Sequence, residues 1–429
     1  MTVLVVVAFV AAYLLIATER IHRVAAALFG AAAMVLLGAT DAQSGFFSEE
    51  TGVDWNVIFL LLGMMIIVGI VRQTGVFEFL AIWAAKRARG RPFLVLVMLS
   101  LITAVASALL DNVTTVLLIA PVTLLVCDRL GVSPVPFLLA EAMASNIGGT
   151  ATLIGDPPNI IIAARSGLTF NDFVLNLGPI VVLLLAVFIG LAWLLWGRGM
   201  SVESERVDAV MELNEREAIE DKGLLVKCGV VLAMVTAGFV LHPVLHLEPS
   251  LVALLGAGLL VALSRSEPSA YLREVEWPTL VFFMGLFVMV GGLVHVGVIK
   301  SLGNAATAAV GDNALLANSL LLFGSGILSG LVDNIPYVAT MSPLVAQLVD
   351  ASGGGPVGQS LWWSLALGAD LGGNATAVGA SANVVILGIA ARNGIKISFW
   401  TFTKYGIIVA AVTLVIAWAY VVLRYVALA

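Results

Sequence analysis

Residues 93–127 form an apolar run of 35 positions in which Asp111 is the only charged side chain. One continuous helix of that length would extend about 50 Å, well beyond the roughly 30 Å hydrocarbon core of a bilayer. Residues 314–349 repeat the pattern around Asp333. A carboxylate is costly at membrane depth and usually marks an ion or substrate pathway. We therefore predict that each run turns back at its Asp-Asn pair and that both carboxylates serve a function.

The rest of the chain has the composition of a polytopic membrane protein. Of its 429 residues, 61% are hydrophobic and 11% are charged, whereas soluble domains have about 45–50% and about 25%. Ten further apolar runs approach the length of one crossing. They fall at 2–17, 24–40, 55–71, 137–164, 174–196, 224–241, 249–263, 277–298, 361–391 and 405–426. The prediction is an all-α fold in the lipid bilayer, with about ten transmembrane helices and two re-entrant helical hairpins.

The positive charges predict an orientation. Of the 21 Lys and Arg residues, 18 fall in alternate loops, and such charge concentrates on the cytoplasmic side. These loops are 18–23, 72–92, 128–136, 197–227, 264–276 and 392–404. We expect an integral protein of the plasma (inner) membrane with both termini extracytoplasmic. Residues 75–91 are predicted to form an interfacial amphipathic helix.

The two halves of the chain are copies of one design. Asp111-Asn112 and Asp333-Asn334 are 222 positions apart, and "GGTATLIGDPPNII" (148–161) matches "GGNATAVGASANVV" (372–385) at an offset of 224. An odd number of predicted crossings separates the copies, so they should have opposite orientations, as in secondary transporters. The predicted parts are a first repeat (1–196), a cytoplasmic linker (197–223) and an inverted second repeat (224–429).

Each repeat also contains a helix that cannot run smoothly. Gly and Pro interrupt 137–164 and Gly interrupts 361–391, and broken backbone at membrane depth exposes carbonyls and N–H groups to an ion or solute. Helix packing through small residues is the alternative. Together with the Asp-Asn turns, the candidate binding residues are Asp111, Asn112, Thr114, Thr115, Asn146, Gly148, Gly149, Thr150, Asp156, Asn159, Asp333, Asn334, Asp370, Gly372, Gly373, Asn374, Thr376 and Asn383.

The segments "LLDNVTTVLLIAPVT" and "AEAMASNIGGTATLIGDPPNIII" resemble the arsenite-efflux permease family and its relatives, the pink-eyed dilution P proteins. More distantly, the chain resembles the sodium-coupled dicarboxylate and sulfate symporters. The resemblance implies hairpins at 93–127 and 314–349 whose tips meet the broken helices near the midplane. It also implies alternating access and a homodimer. The second half departs from the pattern, with Pro336 and Tyr337 in place of threonines and no Asp-Pro-Pro, so the half-sites should differ chemically.

The motifs hold carboxylates, amides and hydroxyls but no Lys or Arg, which suits protons, Na⁺ or a neutral solute such as arsenous acid. The leading hypothesis is proton-coupled export of arsenite or antimonite, with Asp111 and Asp333 as coupling carboxylates. Glu141 is a further coupling candidate, or else a structural carboxylate near the cytoplasmic boundary. No metal site or resident cofactor is expected beyond a coupling Na⁺ or H⁺. Thiol coordination of arsenic is not expected, since Cys127 is the only cysteine near a motif.

Three other functions are compatible with these residues. They are sodium-coupled symport of a dicarboxylate or another anion, sodium/proton antiport, and an ion channel. No phosphate-binding loop, nucleophile–base pair or zinc-ligand spacing suggests an enzyme, and no nucleic-acid partner is expected. The linker 197–223 is expected to be a solvated connector, with a cytosolic ATPase as a candidate partner.

Overall fold

The computed structural model describes residues 2–18, 20–48, 50–200, 202, 204–265, 267–311 and 313–427. Within those ranges every regular element is a helix. The predicted all-α fold is therefore confirmed.

The first half contains ten helices. They are α1 (Thr2–Thr18), α2 (Arg23–Leu36), α3 (Ala42–Phe47), α4 (Trp55–Arg72), α5 (Val76–Arg87), α6 (Pro92–Leu109), α7 (Asn112–Leu130), α8 (Val135–Gly149), α9 (Pro157–Ser166) and α10 (Phe170–Leu195). Between the halves lie α11 (Ser204–Met211) and two short 3₁₀ turns, Gly197–Gly199 and Glu215–Ala218.

The second half follows the same order. Its helices are α12 (Lys222–Leu245), α13 (Pro249–Ser264), α14 (Pro268–Leu272), α15 (Trp277–His295), α16 (Val298–Val310), α17 (Ala314–Leu331), α18 (Asn334–Ala351), α19 (Gly355–Gly372), α20 (Ser381–Arg392) and α21 (Phe399–Val421). A π-helical turn, Val422–Ala427, extends the last helix.

Both long apolar runs break at their Asp-Asn pairs. The first becomes α6 and α7, separated only by Leu110 and Asp111, and the second becomes α17 and α18. Each Asp is the N-cap of the following helix, which satisfies a backbone N–H that the break leaves without an intrahelical partner. The acidic side chain thus specifies where the new helix begins.

Eight described helices are long and apolar enough to cross a membrane. They are Trp55–Arg72, Pro92–Leu109, Asn112–Leu130, Phe170–Leu195, Lys222–Leu245, Trp277–His295, Ala314–Leu331 and the extended C-terminal helix Phe399–Ala427. The predicted spans also include two broken helices, none of whose halves is both long and apolar enough, and shorter apolar helices such as α1, α2 and α13. The chain is an integral membrane protein.

The same packing pairs recur in the two halves. Helix α6 packs on α8 as α17 packs on α19, and α4 packs on α13 as α15 packs on α2. Gly63 allows close approach to Ala253, and Gly285 allows the matching approach to Ala27. This correspondence supports the proposed duplication and separates two sets of helices. We call α1, α2, α4, α12, α13 and α15 the scaffold helices, and α6–α9 with α17–α20 the central helices.

The segment between the halves, expected to be a solvated connector, is largely exposed or half-buried but also contacts the first half. Lys86 on α5 donates to Glu215 Oε2 (2.6 Å) and to the carbonyl of Leu213 (2.8 Å). Lys86 holds the pKa of the Glu215 carboxyl below its ordinary range. The backbone N–H of Glu220 donates to the Thr74 carbonyl (3.1 Å). The linker is therefore attached to α5 and to the turn before it.

Candidate functional site

The two Asp-Asn tips use their carboxylates first to cap helices. Asp111 Oδ1 accepts the N–H of Thr114 (2.7 Å), and Asp333 Oδ1 accepts the N–H of Ile335 (3.0 Å). Both carboxylates are largely buried, with Asp111 8% exposed and the Asp333 side chain 17% exposed. Each tip therefore brings a carboxylate and the N-terminus of a helix into the interior.

One asparagine closes each helix break. Asn159 donates to the carbonyls of Gly149 (3.4 Å) and Thr152 (3.1 Å). Asn383, its counterpart 224 positions later, donates to the carbonyls of Gly373 (2.8 Å) and Thr376 (2.9 Å). These bonds satisfy carbonyls that the interrupted helices leave free.

The hydroxyls of the two breaks fasten them to the hairpins. Thr152 Oγ1 donates to the carbonyl of Ala108 and Thr376 Oγ1 to that of Gly330, both at 2.6 Å. The first leg of each hairpin is thereby held against the break of its own repeat.

The paired glycines serve close packing of these elements. A Cβ atom on Gly148 would lie 2.2 Å from the Ala104 carbonyl oxygen, and one on Gly372 would lie 2.4 Å from that of Gly326. A Cβ atom on Gly149 would lie 2.5 Å from the Gly155 carbonyl oxygen, whereas Gly373 is less crowded, at 3.1 Å from its nearest neighbour. Glycine is needed at 148 and 372 for backbone approach.

A chain of amide groups connects the two repeats at the centre. Asn112 Nδ2 donates to Asp156 Oδ2 (2.8 Å) and to Asn146 Oδ1 (3.2 Å). Asn146 Nδ2 in turn donates to the side-chain oxygens of Asn374 (3.0 Å) and Asn383 (3.1 Å). All five side chains are buried. The first tip and both breaks thus meet in one polar network.

The second tip joins the same network through Asp156. Asn334 Nδ2 lies 3.4 Å from Asp156 Oδ2 and 3.5 Å from Oδ1, so its contact is longer than that of Asn112. Asp156 is fully buried and receives donors from both Asp-Asn tips. The structure therefore brings the predicted tips and breaks together around one carboxylate.

Several oxygens at this centre have no hydrogen-bond partner among the described residues. They are both carboxyl oxygens of Asp370 and the amide oxygens of Asn112 and Asn159. Asp370 is fully buried, and Thr150 and Asn159 approach it without forming a proper hydrogen bond. Buried acceptors are normally paired, so these oxygens leave room for a proton or a cation.

Within the described ranges no three His, Cys, Asp or Glu side chains are grouped as they would be around a metal ion. A hard monovalent cation held by carboxylate, amide and backbone oxygens remains compatible with this donor set.

The remaining sequence candidates have other partners. Thr150 Oγ1 donates to the carbonyl of Asn146 on its own helix (2.9 Å), while the Thr115 hydroxyl is buried without a partner in the described chain. Glu141 is fully buried and accepts from Thr123 on α7, more than one helical turn from Asn146. Cys127 and Cys228 are free and buried.

Sequence reasoning missed Arg23, which was assigned to a loop. Arg23 begins α2, and its Nη1 donates to Ser381 Oγ (2.8 Å) and lies 3.4 Å from Asp333 Oδ2. Ser381 Oγ itself donates to Asp333 Oδ2 (2.6 Å). The motifs themselves contain no Lys or Arg, but the fold brings Arg23 from outside them against the second tip. One feature of the sequence could have identified this contact. Arg23 directly precedes an apolar run, and that run is too short to keep the arginine side chain far from the centre of the protein.

Two cavities approach the centre. One, of about 300 Å³, is lined by residues that include Arg23, Val113, Glu276, Ser381 and Val384. The other, of about 390 Å³, has a lining that includes Asp54, Val57, Leu153, Ile160 and Pro249. Asp54 and Glu276 are 222 positions apart, and Ile160 and Val384 are 224 apart. The two cavities therefore occupy corresponding places in the two repeats.

Comparison with known proteins identifies the class. The family model described as "Citrate transporter" matches residues 13–368. The uncharacterized transporter Rv2684 of Mycobacterium tuberculosis is 60% identical over 425 residues, covering 99% of each chain. The human P protein is 33% identical over 492 aligned positions, covering 96% of this chain and 59% of its own length. These similarities confirm the resemblance to the P proteins and show a membrane transporter.

A solved structure shares the fold. The YdaH transporter of Alcanivorax borkumensis, described as having an unusual topology, superposes with a TM-score of 0.59. The superposition covers 90% of this chain and 86% of that one, at 14% sequence identity. At this identity the similarity concerns the fold alone.

Proposed function

The chain belongs to the citrate transporter family, and we propose that it is a secondary transporter driven by a cation bound among the central carboxylates. The observation that carries this proposal is the fully buried Asp370 carboxyl, which has no hydrogen-bond partner in the described chain. An isolated buried carboxylate is strongly unfavourable unless it is protonated or paired. A proton or Na⁺ at Asp370 supplies what the side chains leave missing.

The surrounding oxygens fit the same role. The free amide oxygens of Asn112 and Asn159 are neutral ligands, and Asp156 adds a second buried carboxylate. Because Asn112 belongs to a hairpin tip and Asn159 to a helix break, a cation between them would hold tip and break together. Its departure would free them to separate, which is how binding would be coupled to alternating access.

For the substrate, we propose a small neutral hydroxylated solute, with arsenite and antimonite exported in exchange for protons as the leading candidates. The central carboxylates are Asp111, Asp156, Asp333 and Asp370, and among the hydrogen bonds of the described side chains only Asp333 has a cationic partner, Arg23. An excess of negative charge disfavours a multiply charged anion unless several cations bind with it. A neutral solute can hydrogen-bond to the amides without that cost.

One observation favours a second candidate, sodium-coupled symport of citrate or another carboxylate. Arg23 lies at the edge of the 300 Å³ cavity, and a guanidinium binds a carboxylate through two parallel hydrogen bonds. The family description names citrate. Sodium/proton antiport uses the same carboxylates without an organic substrate, whereas a channel would need no coupling ion.

We further propose the organisation expected from the sequence: repeats 1–196 and 224–429 of opposite orientation, the linker 197–223 in the cytoplasm and both termini outside the plasma membrane. A homodimer is part of this proposal. A cytosolic ATPase stays a candidate partner, although it would have to bind a linker that already packs against α5.

The test is flux in proteoliposomes that contain the purified full chain. Arsenite, antimonite, citrate and succinate are each presented with an imposed proton gradient, an imposed Na⁺ gradient, or neither. We expect saturable arsenite flux that needs the proton gradient and is lost in Asp370→Asn. Sodium-dependent citrate flux without arsenite flux would overturn the substrate assignment. Conductive flux that persists with no coupling ion would overturn the carrier mechanism itself.

A further inference from the structure

We propose that Arg23 is a one-sided electrostatic latch that fastens the central helices to the scaffold helices on only one face of the protein. This inference rests on the proposed alternating-access function. It adds the residue that stabilises one of the two end states of the transport cycle. Arg23 lies on the scaffold helix α2, whereas its partners Asp333 and Ser381 begin the central helices α18 and α20. The contact therefore bridges the two sets of helices.

The guanidinium is held from several directions. Besides Ser381 (2.8 Å) and Asp333 (3.4 Å), its Nη2 lies 3.4 Å from Thr279 Oγ1 on the scaffold helix α15. Thr279 Oγ1 in turn donates to Glu276 Oε2 (3.0 Å). The Arg23 guanidinium also lies 5.5 Å from the centre of the Phe282 ring, within the range of a cation–π interaction. Scaffold residues thus orient the arginine toward the tip of the second hairpin.

The corresponding place in the other repeat cannot form such a latch. Ala27 and Ala253 meet equivalent glycines, Gly285 and Gly63, which aligns α2 with α13 at an offset of 226. Under that alignment Pro249 stands where Arg23 stands.

The latch partners are also missing there. Pro157 stands at the position equivalent to Ser381, at the offset of 224. Val57 stands at the position equivalent to Thr279, at the offset of 222. The tip residue is retained as Asp111, but the hydrogen bond given for its side chain goes to Thr114 of its own helix. Neither proline nor valine has a side-chain donor.

This difference gives the two faces unequal stability. An inverted repeat with identical halves would favour the two end states of the cycle equally, since each face would form the same contacts. An ion pair on one face favours the state that contains it, and a pair that is about one-third exposed contributes up to a few-fold in population. Arg23 therefore biases the resting protein toward the state seen in this structure, in which Val384 is 39% exposed and Ile160 is 4% exposed.

Side-specific accessibility tests the latch without any transport measurement. Val384 and Ile160 line the corresponding cavities and are changed one at a time to cysteine in a Cys127→Ala/Cys228→Ala background. A membrane-impermeant maleimide is then applied from each side. We expect Arg23→Gln to slow modification of the 384 probe by up to about fivefold and to accelerate that of the 160 probe.

The matched control is Arg72→Gln, which removes an Arg–Glu pair within the scaffold, to Glu274, and should leave both rates unchanged. In an Asp333→Asn background, Arg23→Gln should have a smaller effect than in the wild type, because the ion pair is already broken and only the hydrogen bond to Ser381 still joins Arg23 to the central helices. If Arg23→Gln does not fold, Ser381→Ala serves instead, since it removes the hydroxyl shared by Arg23 and Asp333.

Unchanged rates of cysteine modification, or rates that rise together at both probes, would overturn the latch. Because no substrate is required, a failure to find flux would contradict the proposed function alone.

Discussion

Asn146 and Asp370 occupy equivalent positions in the two broken helices, 224 residues apart, and only the amide is engaged in hydrogen bonds. Asn146 accepts from Asn112 and donates to Asn374 and Asn383, while the Asp370 carboxyl has no partner within the described residues. At this pair of equivalent positions, the carboxylate is therefore the group left unsatisfied. The centre is asymmetric in charge although it is nearly symmetric in backbone.

Asp370→Asn should raise the thermal unfolding temperature of the purified protein in buffer without Na⁺ at neutral pH. The substitution replaces a buried carboxyl that has no hydrogen-bond partner, so few interactions are lost and the desolvation cost of the charged form disappears. It should also abolish stabilisation by the coupling cation, which in the wild type is about 2.7 kcal/mol at 100 times the dissociation constant. Thermal shift measured across Na⁺ concentration and pH checks both effects.

Asp156→Asn is the matched comparison and should act in the opposite direction. Asp156 accepts from Asn112 and lies near Asn334, so the neutral amide loses charge-assisted bonds. We expect a lower unfolding temperature at every Na⁺ concentration. Equal shifts in the two variants would contradict the distinction between a satisfied and an unsatisfied carboxylate.

Asn146→Ala should destabilise the protein by about 1–3 kcal/mol, because it leaves several buried polar partners unsatisfied. Transport should fall more steeply than stability, since the change cuts the connection between the two breaks. Thermal unfolding and proteoliposome flux are measured on the same preparation. Asn393→Ala, which removes an exposed amide bonded to its own helix at Ile389, should affect neither. Normal flux in Asn146→Ala would contradict a functional role for the network.

The local sequence was sufficient to predict the breaks and many of the residues that meet there. Gly-Gly weakens helical order, Pro-Pro favours the start of a new helix, and an Asp-Asn pair in an apolar run favours a helix N-cap. The positions of the breaks therefore follow from backbone chemistry. Their duplication indicated that Asn159 and Asn383 would play the same role, and both close their helix breaks through matching carbonyls.

The missed contacts depend on tertiary packing between distant segments. Arg23 and Asp333 are 310 positions apart, and a count of charges by loop assigned Arg23 to the membrane surface. The linker looked solvated because it is polar, yet Lys86 binds Glu215 across 129 positions. No local pattern carries such information, because the partner is chosen by how the helices pack.

Glu215→Gln should loosen the linker at neutral pH. Lys86 lowers the pKa of the Glu215 carboxyl, so the stabilisation is fully present above the ordinary pKa of glutamate. It is lost as the pH falls through the lowered pKa of the folded state. Hydrogen exchange of residues 204–218 should therefore be faster in the variant than in the wild type at pH 7. The difference should shrink as the pH falls below the ordinary value of about 4.3 and through the lowered pKa of Glu215.

Glu217→Gln is the control for that experiment. Its carboxyl accepts from Asn214 inside the linker, so the attachment to α5 should be unaffected. Equal exchange in Glu215→Gln and the wild type at pH 7 would show that backbone contacts alone hold the segment.

Gly75→Ala should destabilise the protein more than Gly297→Ala. The two glycines precede α5 and α16, are 222 positions apart, and have left-handed φ angles of 73° and 77°. An alanine pays the same backbone strain at both, about 1–2 kcal/mol. At 75, however, its Cβ atom would lie 1.7 Å from the Ala218 carbonyl oxygen. At 297 it would have no atom of the described residues within 4 Å apart from its neighbours in the chain.

The difference between these two variants isolates the docking of the linker. Gly75→Ala should lower the unfolding temperature further and speed tryptic cleavage after Arg216, since the Ala218 segment must move away. Gly297→Ala should lower the unfolding temperature slightly and leave cleavage at the wild-type rate. If both variants are cleaved equally fast, the contact between Gly75 and Ala218 does not hold the linker, and its attachment would rest on Lys86 and on the Glu220–Thr74 backbone hydrogen bond.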